Sequence, residues 1–346
     1  MIKPILYTTF TLTLLVSSFA SAQKFAPGTR TLLDAHNCYP YDGEYVDRID
    51  RALATGTPVA IEQDLVWYDD PETGRKRSIV SHGKPFSGEE PSIEDHFFER
   101  IRPIMEAAIK SGNKSDWPLI TLNVDYKSSD MAHVEDNYRV FSQYADWMTY
   151  AIRTDTPEKA EPLTVGPLLV LLGAGPNKRT VFHDNIFVGG KIIAFGAMSL
   201  NRVDKEGLSR REATELDSTI DQDQLLDTPA SNYYRWWNDS WYRIESGGAS
   251  RSRDWTKTDQ KRLKTIVKHA HKLGYWLRLY TLNGHTAEES QGWFGNYNFG
   301  SLDDAKLRWK AAHKTGVDFV ATDMYEAFNE ARKKRPEAVD KNRSKY

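Results

Sequence analysis

From Thr31 to Asp323 the chain alternates short apolar runs with stretches of helical spacing, which restricts it to folds in which helices cover a largely parallel sheet. Thr31 to His36, Pro58 to Trp67, Leu119 to Lys127, Pro167 to Gly173, Lys191 to Ser199, Tyr275 to Asn283 and Val317 to Thr322 read as strands. Helical patterns run from Tyr45 to Leu53 with Gly56 as the stop, and from Ile93 to Ile109, His133 to Ile152, Thr258 to Leu273 and Leu302 to Thr315. After the turn-rich stretch from Asp69 to Gly74, Ser78-Ile79-Val80-Ser81-His82 reads as one more short strand. The apolar runs at 167–173 and 191–199 suit parallel strands covered on both faces. No Gly-x-Gly-x-x-Gly follows the first strand, which argues against a dinucleotide-binding sheet. The expectation is an α/β fold, a single-domain TIM-like (β/α)8 barrel over residues 23–331.

The ends read differently. Lys3, an apolar run from Pro4 to Ala20 and the small residues Ala20-Ser21-Ala22 have the pattern of a secretory signal peptide over residues 1–22. A secreted or periplasmic mature protein is expected. Residues 332–346 form a polar tail that opens with the basic run Arg332-Lys333-Lys334-Arg335, and the formal net charge of −2 supplies no field for nucleic acid. Cys38 is the only cysteine, so no intrachain disulfide can form; a buried filler is its expected role.

Successive side chains on a strand point to opposite faces, so Glu62 and Asp64 project together while Ile61, Gln63 and Leu65 point away. Asn123, Asp125 and Lys127 likewise share one face. In a barrel, polar residues at the C-terminal strand ends converge on one mouth, and His36, Asn37, Glu62, Asp64, His82 and Asp125 meet that requirement. The carboxylates of Glu62, Asp64 and Asp125 with the amide oxygen of Asn37 make a donor set for one divalent cation, Ca²⁺ or Mg²⁺. Carboxylates so gathered repel by about 4 kcal/mol per pair at about 4 Å and an effective dielectric near 20. A cation, a proton or the nearby Lys127 has to offset this. His36 and His82 titrate near neutral pH and suit proton transfer, which beside a hard cation suits phosphodiester cleavage. His96, His133, His269, His271 and His313 fall on helical patterns and are expected to pack.

With these residues in view, the chain resembles the phosphatidylinositol-specific phospholipase C and glycerophosphodiester phosphodiesterase superfamily. The resemblance lies in Asp34-Ala35-His36-Asn37, Ile61-Glu62-Gln63-Asp64, Ser81-His82-Gly83 and Leu122-Asn123-Val124-Asp125-Tyr126-Lys127, and continues in Tyr280-Thr281-Leu282-Asn283 and the run from Gly316 to Asp323. It implies a TIM-like barrel, catalytic His36 and His82, a cation held by Glu62, Asp64 and Asp125, with Asn37 as a ligand in the phospholipase branch, and Lys127 near the substrate phosphate. Arg278 and Tyr280 share a face on a late strand and are further candidates for substrate binding. Asn37 and Cys38 stand where glycerophosphodiesterases carry Arg-Gly, Asp125 where the family carries Glu, and Gly83 where glycerophosphodiesterases carry Asp.

The expected activity is metal-dependent cleavage of a small-molecule or lipid-headgroup phosphodiester, by hydrolysis or through a cyclic phosphate, with transient contact to a membrane surface if the substrate is a lipid. Two other readings are open. The aromatics from Tyr233 to Tyr242 can serve as a carbohydrate platform in a non-catalytic barrel or simply as packing. Glu62 and Asp125 can form the carboxylate pair of a metal-free glycosidase.

Overall fold

The computed structural model describes residues 25–40, 45–128, 130–201, 203–245, 254–286, 288–289 and 298–333. The expected signal peptide, the loop at 41–43 and the tail from residue 334 lie outside the described residues. The strands are β1 (Leu32–Ala35), β2 (Val59–Asp69), β3 (Lys76–Val80), β4 (Ile120–Tyr126), β5 (Tyr150–Ile152), β6 (Leu163–Thr164), β7 (Leu168–Leu172), β8 (Lys191–Ile192), β9 (Phe195–Ala197), β10 (Tyr234–Ser240), β11 (Trp276–Tyr280) and β12 (Phe319–Thr322). The longer helices are α1 (Arg48–Ala54), α2 (Glu99–Ser111), α3 (Met131–Gln143), α4 (Arg210–Thr219), α5 (Lys257–Lys272), α6 (Leu302–Thr315) and α7 (Tyr325–Lys333). Among the described residues no helix is long and apolar enough to cross a membrane.

Eight of these strands run parallel in the order β1-β12-β11-β10-β9-β7-β4-β2, and β2 pairs back to β1 through Asp34 with Ala60 and Ala35 with Ile61. The sheet therefore closes on itself. This is a single-domain (β/α)8 barrel, as the alternation in the sequence predicts. Closure leaves no free edge in the barrel, and the strands are covered on both sides: the first eight residues of β2 and all of β7 are buried.

Three segments depart from the sequence reading. The helix expected from His133 to Ile152 stops at Gln143, and 150–152 are β5. Thr149 fastens the extended segment beyond it by exchanging hydrogen bonds with Gly166, Oγ1 donating to the carbonyl at 3.3 Å and accepting from the N–H at 3.1 Å. Gly166 has to be glycine, since a Cβ there would lie 2.5 Å from the Trp147 carbonyl oxygen. The strand expected from Lys191 to Ser199 is split, with β8 joining β5 in a separate three-stranded sheet and only β9 entering the barrel. The aromatic run at 233–242 is the missing sixth barrel strand. Trp236, Trp237 and Trp241 are enclosed at 0%, 0% and 1% exposure, with Trp236 donating from Nε1 to the Leu172 carbonyl, so they serve the core and offer no sugar platform.

β2 outruns its neighbour. Its lower half pairs with β1, while Leu65 to Asp69 rise above that strand and pair antiparallel with Val80 to Lys76 of β3. His133 on α3 ties this hairpin down: Nε2 meets Ser78 Oγ and Nδ1 meets Ser128 Oγ, each at 2.8 Å, and the ring stacks on Trp67. Beside it in function, His96 Nε2 meets the Cys38 carbonyl at 3.2 Å. Burial depresses both imidazoles to about 4. The folded chain thus refuses protons that the unfolded chain accepts below about pH 6.5. Their stabilisation is present above that pH and is lost as pH falls towards 4, by about 3 kcal/mol each. Urea denaturation of the wild type and of His133→Asn at pH 7.5 and 4.5 measures this. The stability gap between the two proteins should narrow at the lower pH; a gap that widens contradicts the assignment.

Candidate active site

The parallel register sets a polar layer inside the upper barrel. Asp34 aligns with Ala60, Glu62 with Asn123, Asp64 with Asp125, and Asn238 with Arg278, so these side chains share the interior face. Arg278 is buried beneath the mouth at 2% exposure, which places it under the floor and not on the rim. Its Nε donates to Asp34, Nη1 donates to Asn238 Oδ1 at 2.9 Å, and Nη2 lies 3.2 Å from Glu62 Oε1.

One layer higher, Glu62, Asp64 and Asp125 each present an oxygen within 4.8 Å of the others. Lys127 Nζ lies 2.6 Å from Asp125 Oδ2 and 3.2 Å from Asp64 Oδ2. Both Asp64 oxygens are nevertheless buried without a hydrogen bond. Burial, with Glu62 and Asp125 adding to it against Lys127, raises the Asp64 carboxyl well above the usual range. Glu62 behaves oppositely: burial alone would raise it, but Arg278, His36 and Lys127 hold it below the usual carboxylate range. Orphaned carboxylate oxygens beside two further acids fit a hard divalent cation.

His36 closes the top of β1. Its Nδ1 meets Asp323 Oδ1 at 2.8 Å and its Nε2 lies 3.4 Å from Glu62 Oε2. Burial lowers its pKa, but Glu62 and Asp323 outweigh that and lift it to about 9. Asn37 follows in the left-handed region at φ 59°, which asparagine tolerates. Its Nδ2 donates to Asp323 Oδ1 at 3.1 Å, its Oδ1 accepts from Tyr39 at 3.1 Å, and its backbone N–H donates to Glu62 Oε2 at 3.2 Å. Cys38 is fully buried and its thiol is pushed up by burial, so it is no nucleophile.

His82 arrives from a different direction. It follows β3, the antiparallel hairpin strand, and is positioned by Ser81, whose N–H donates to the Asp64 carbonyl at 3.0 Å. Its ring centroid lies 5.7 Å from that of Tyr39. Burial and then Lys127 lower its pKa. The two imidazoles are thus tuned in opposite directions within one pocket.

That pocket has a volume of about 460 Å³ and is lined by His36, Asn37, Glu62, Asp64, His82 and Asp125, with Lys127 and Tyr280 beside them. Of the residues singled out from the sequence, only Arg278 is not among its walls. The sequence reading missed Asp323, Asn283, Arg48 and His285, which line it too. Asp323 and Asn283 stand just beyond β12 and β11, where the rule of polar strand ends would have found them. Asn283 Oδ1 accepts from the Asp323 N–H at 2.7 Å and from Thr322 Oγ1 at 2.8 Å, and so aims Asp323 at His36. Arg48 lies in α1 and His285 in a loop, where no sequence signal marks them.

Fold and site together define a (β/α)8-barrel protein with an acidic, two-histidine mouth. No family model matches the chain and no curated protein matches it. Among solved structures it is similar to a glycerophosphoryl diester phosphodiesterase from Parabacteroides distasonis, at TM-score 0.39 and 12% identity over 88% of this chain and 86% of that one. It is also similar to a calcium-dependent phosphoinositol-specific phospholipase C from a Pseudomonas species, at TM-score 0.42 and 13% identity over 90% and 93% of the two chains. Likeness of this degree carries no functional weight beside the geometry.

Proposed function

We propose that the chain is an exported, divalent-cation-dependent phosphodiesterase acting on a small-molecule or lipid-headgroup phosphodiester. The observation that carries this reading is the meeting of Glu62, Asp64 and Asp125 within 4.8 Å, with buried Asp64 oxygens that accept no hydrogen bond, in the pocket that also holds His36 and His82. Glu62, Asp64 and Asp125 would hold Ca²⁺ or Mg²⁺. When bound, such an ion supplies neutralisation of the charge on the non-bridging phosphate oxygens.

The chain's own residues handle the protons. Asp323 fixes His36 through Nδ1 and leaves Nε2 facing the pocket, the arrangement of a proton-transfer imidazole and its orienting carboxylate. His36 is held towards its charged form and so suits the acid, whereas His82 is held towards its neutral form and so suits the base. One accepts a proton from the attacking hydroxyl while the other returns one to the leaving oxygen. Glu62 is shared between His36 and the cation site, so occupation of that site sets how strongly His36 holds its proton. Attack by a vicinal hydroxyl gives a cyclic phosphate and attack by water gives a monoester.

The test is product release from a panel of phosphodiesters with Ca²⁺, with Mg²⁺ and with chelator. Activity should vanish with chelator and return with one of the ions; undiminished turnover in chelator would end this reading. A thermal-shift titration provides a readout without turnover. At an ion concentration about 100 times its Kd, the folded state gains about 2.7 kcal/mol, and Asp64→Asn should remove most of that gain.

A further inference from the structure

Arg48 has no part in the proton transfers above, yet its charge faces the same pocket. Among the described residues lining that pocket it is the one full cation without a carboxylate at ion-pair distance: Arg51 is engaged by Glu326, and Lys127 by Asp64 and Asp125. The residue is 8% exposed, so its guanidinium is largely removed from bulk water. The Asp323 carboxylate, in the same pocket but beyond ion-pair distance, favours the charged guanidinium without taking up any of its N–H groups.

Its setting is well defined. Nη1 donates to the Asn37 carbonyl at 2.9 Å, and the guanidinium carbon sits 3.9 Å from the centroid of the Tyr45 ring. Those contacts fix the plane of the group and, among the described residues, use one of its five N–H donors. A pre-oriented fork with donors left over matches an anion with two adjacent oxygens, and a phosphoryl group is one. The alternative is that Arg48 only braces the left-handed turn at Asn37. A brace needs a single donor and not a fork.

We propose that Arg48 is a substrate-binding residue whose free N–H groups grip two non-bridging oxygens of a phosphoryl group in the pocket. The anion site stands on the geometry of Arg48 and Tyr45; that the phosphoryl group belongs to a diester substrate rests on the phosphodiesterase reading. Arg48 approaches from α1, whereas the cation site is built on β2 and β4, so a phosphoryl group is met by protein cation and metal site from separate elements.

Calorimetric titration of the full chain with inorganic phosphate and with dimethyl phosphate, in EDTA so that no metal carries the anion, tests this. Arg48→Gln should weaken binding of both probes by about 10- to 100-fold, the range expected for charge-assisted hydrogen bonds. Arg48→Lys retains a donor for the Asn37 carbonyl. It should restore the unfolding temperature while leaving phosphate at least about tenfold weaker, because an ammonium lacks the fork. In turnover the loss should fall on KM more than on kcat. Wild-type protein that binds neither probe, Arg48→Gln that binds as wild type does, or Arg48→Lys that recovers both stability and full phosphate affinity would each overturn the proposal. If phosphate binds through Arg48 but no diester is cleaved, the phosphodiesterase reading fails and the anion site stands.

Discussion

His36→Ala should lower the rate of phosphodiester cleavage by about 10²- to 10⁴-fold, the usual worth of a positioned acid or base. The side chain sits between Asp323 and Glu62 and presents Nε2 to the pocket. Removing it leaves both acids with other partners, since Asn37 still donates to each and Arg278 still lies beside Glu62. The barrel should therefore stay folded, and the loss should appear in kcat and not in the unfolding temperature. His82→Ala should cost a comparable factor. Because the two histidines serve one proton cycle, the double variant should be little slower than the worse single one. Steady-state kinetics on the three variants decides it: multiplicative losses, or a His36→Ala enzyme within a few-fold of wild type, would remove His36 from the chemistry.

Arg278→Met should destabilise the fold by about 3 to 5 kcal/mol, the range for stripping one partner from a buried ion pair. The methionine fills much of the volume, so the effect is electrostatic. Asp34 and Glu62 would be left buried without the guanidinium that faces both. Even with Arg278 present, burial holds the Asp34 carboxyl above its usual range, so the variant has a route to relief by taking up a proton there. A carboxyl whose folded pKa is raised makes the folded state bind more protons than the unfolded one, and stability then rises as pH falls. The deficit should accordingly be largest above neutral pH and shrink in acid. Urea denaturation at pH 8 and pH 5 measures it; an equal deficit at both would show that packing, and not charge, is lost.

Much of this was legible in the chain. Strand alternation alone put Glu62 and Asp64 on one face and Asp125 with Lys127 on another, and the barrel register then set those faces together. The sixth strand was not legible, because Tyr233 to Tyr242 has aromatics at consecutive positions and no period of two can be read through them. Only the closed sheet shows that Trp236 lies inside the barrel and its neighbour Trp237 against the helices. Arg278 misled for a related reason: a strand-end arginine reads as a rim residue, and its depth depends on which layer Asp34 and Glu62 occupy. Arg48 gave no signal at all, since its meaning comes from a contact across the turn at Asn37 and from N–H groups that no described carboxylate takes up.

The overlong β2 strand makes the site a composite of two separable parts. His36, the three acids and Asp323 are carried by strands whose register the closed barrel dictates, whereas His82 hangs from a hairpin bonded to one barrel strand and pinned by His133. The barrel half cannot be remodelled without reopening the sheet. The hairpin half can: its turn is exposed from Pro71 to Gly74 and can be lengthened, shortened or exchanged while the acids stay put. His82 itself follows the opposite end of the hairpin, so its position rests on the Leu65–Val80 pairing and on His133, and it is the proton-transfer group that can shift without reopening the barrel.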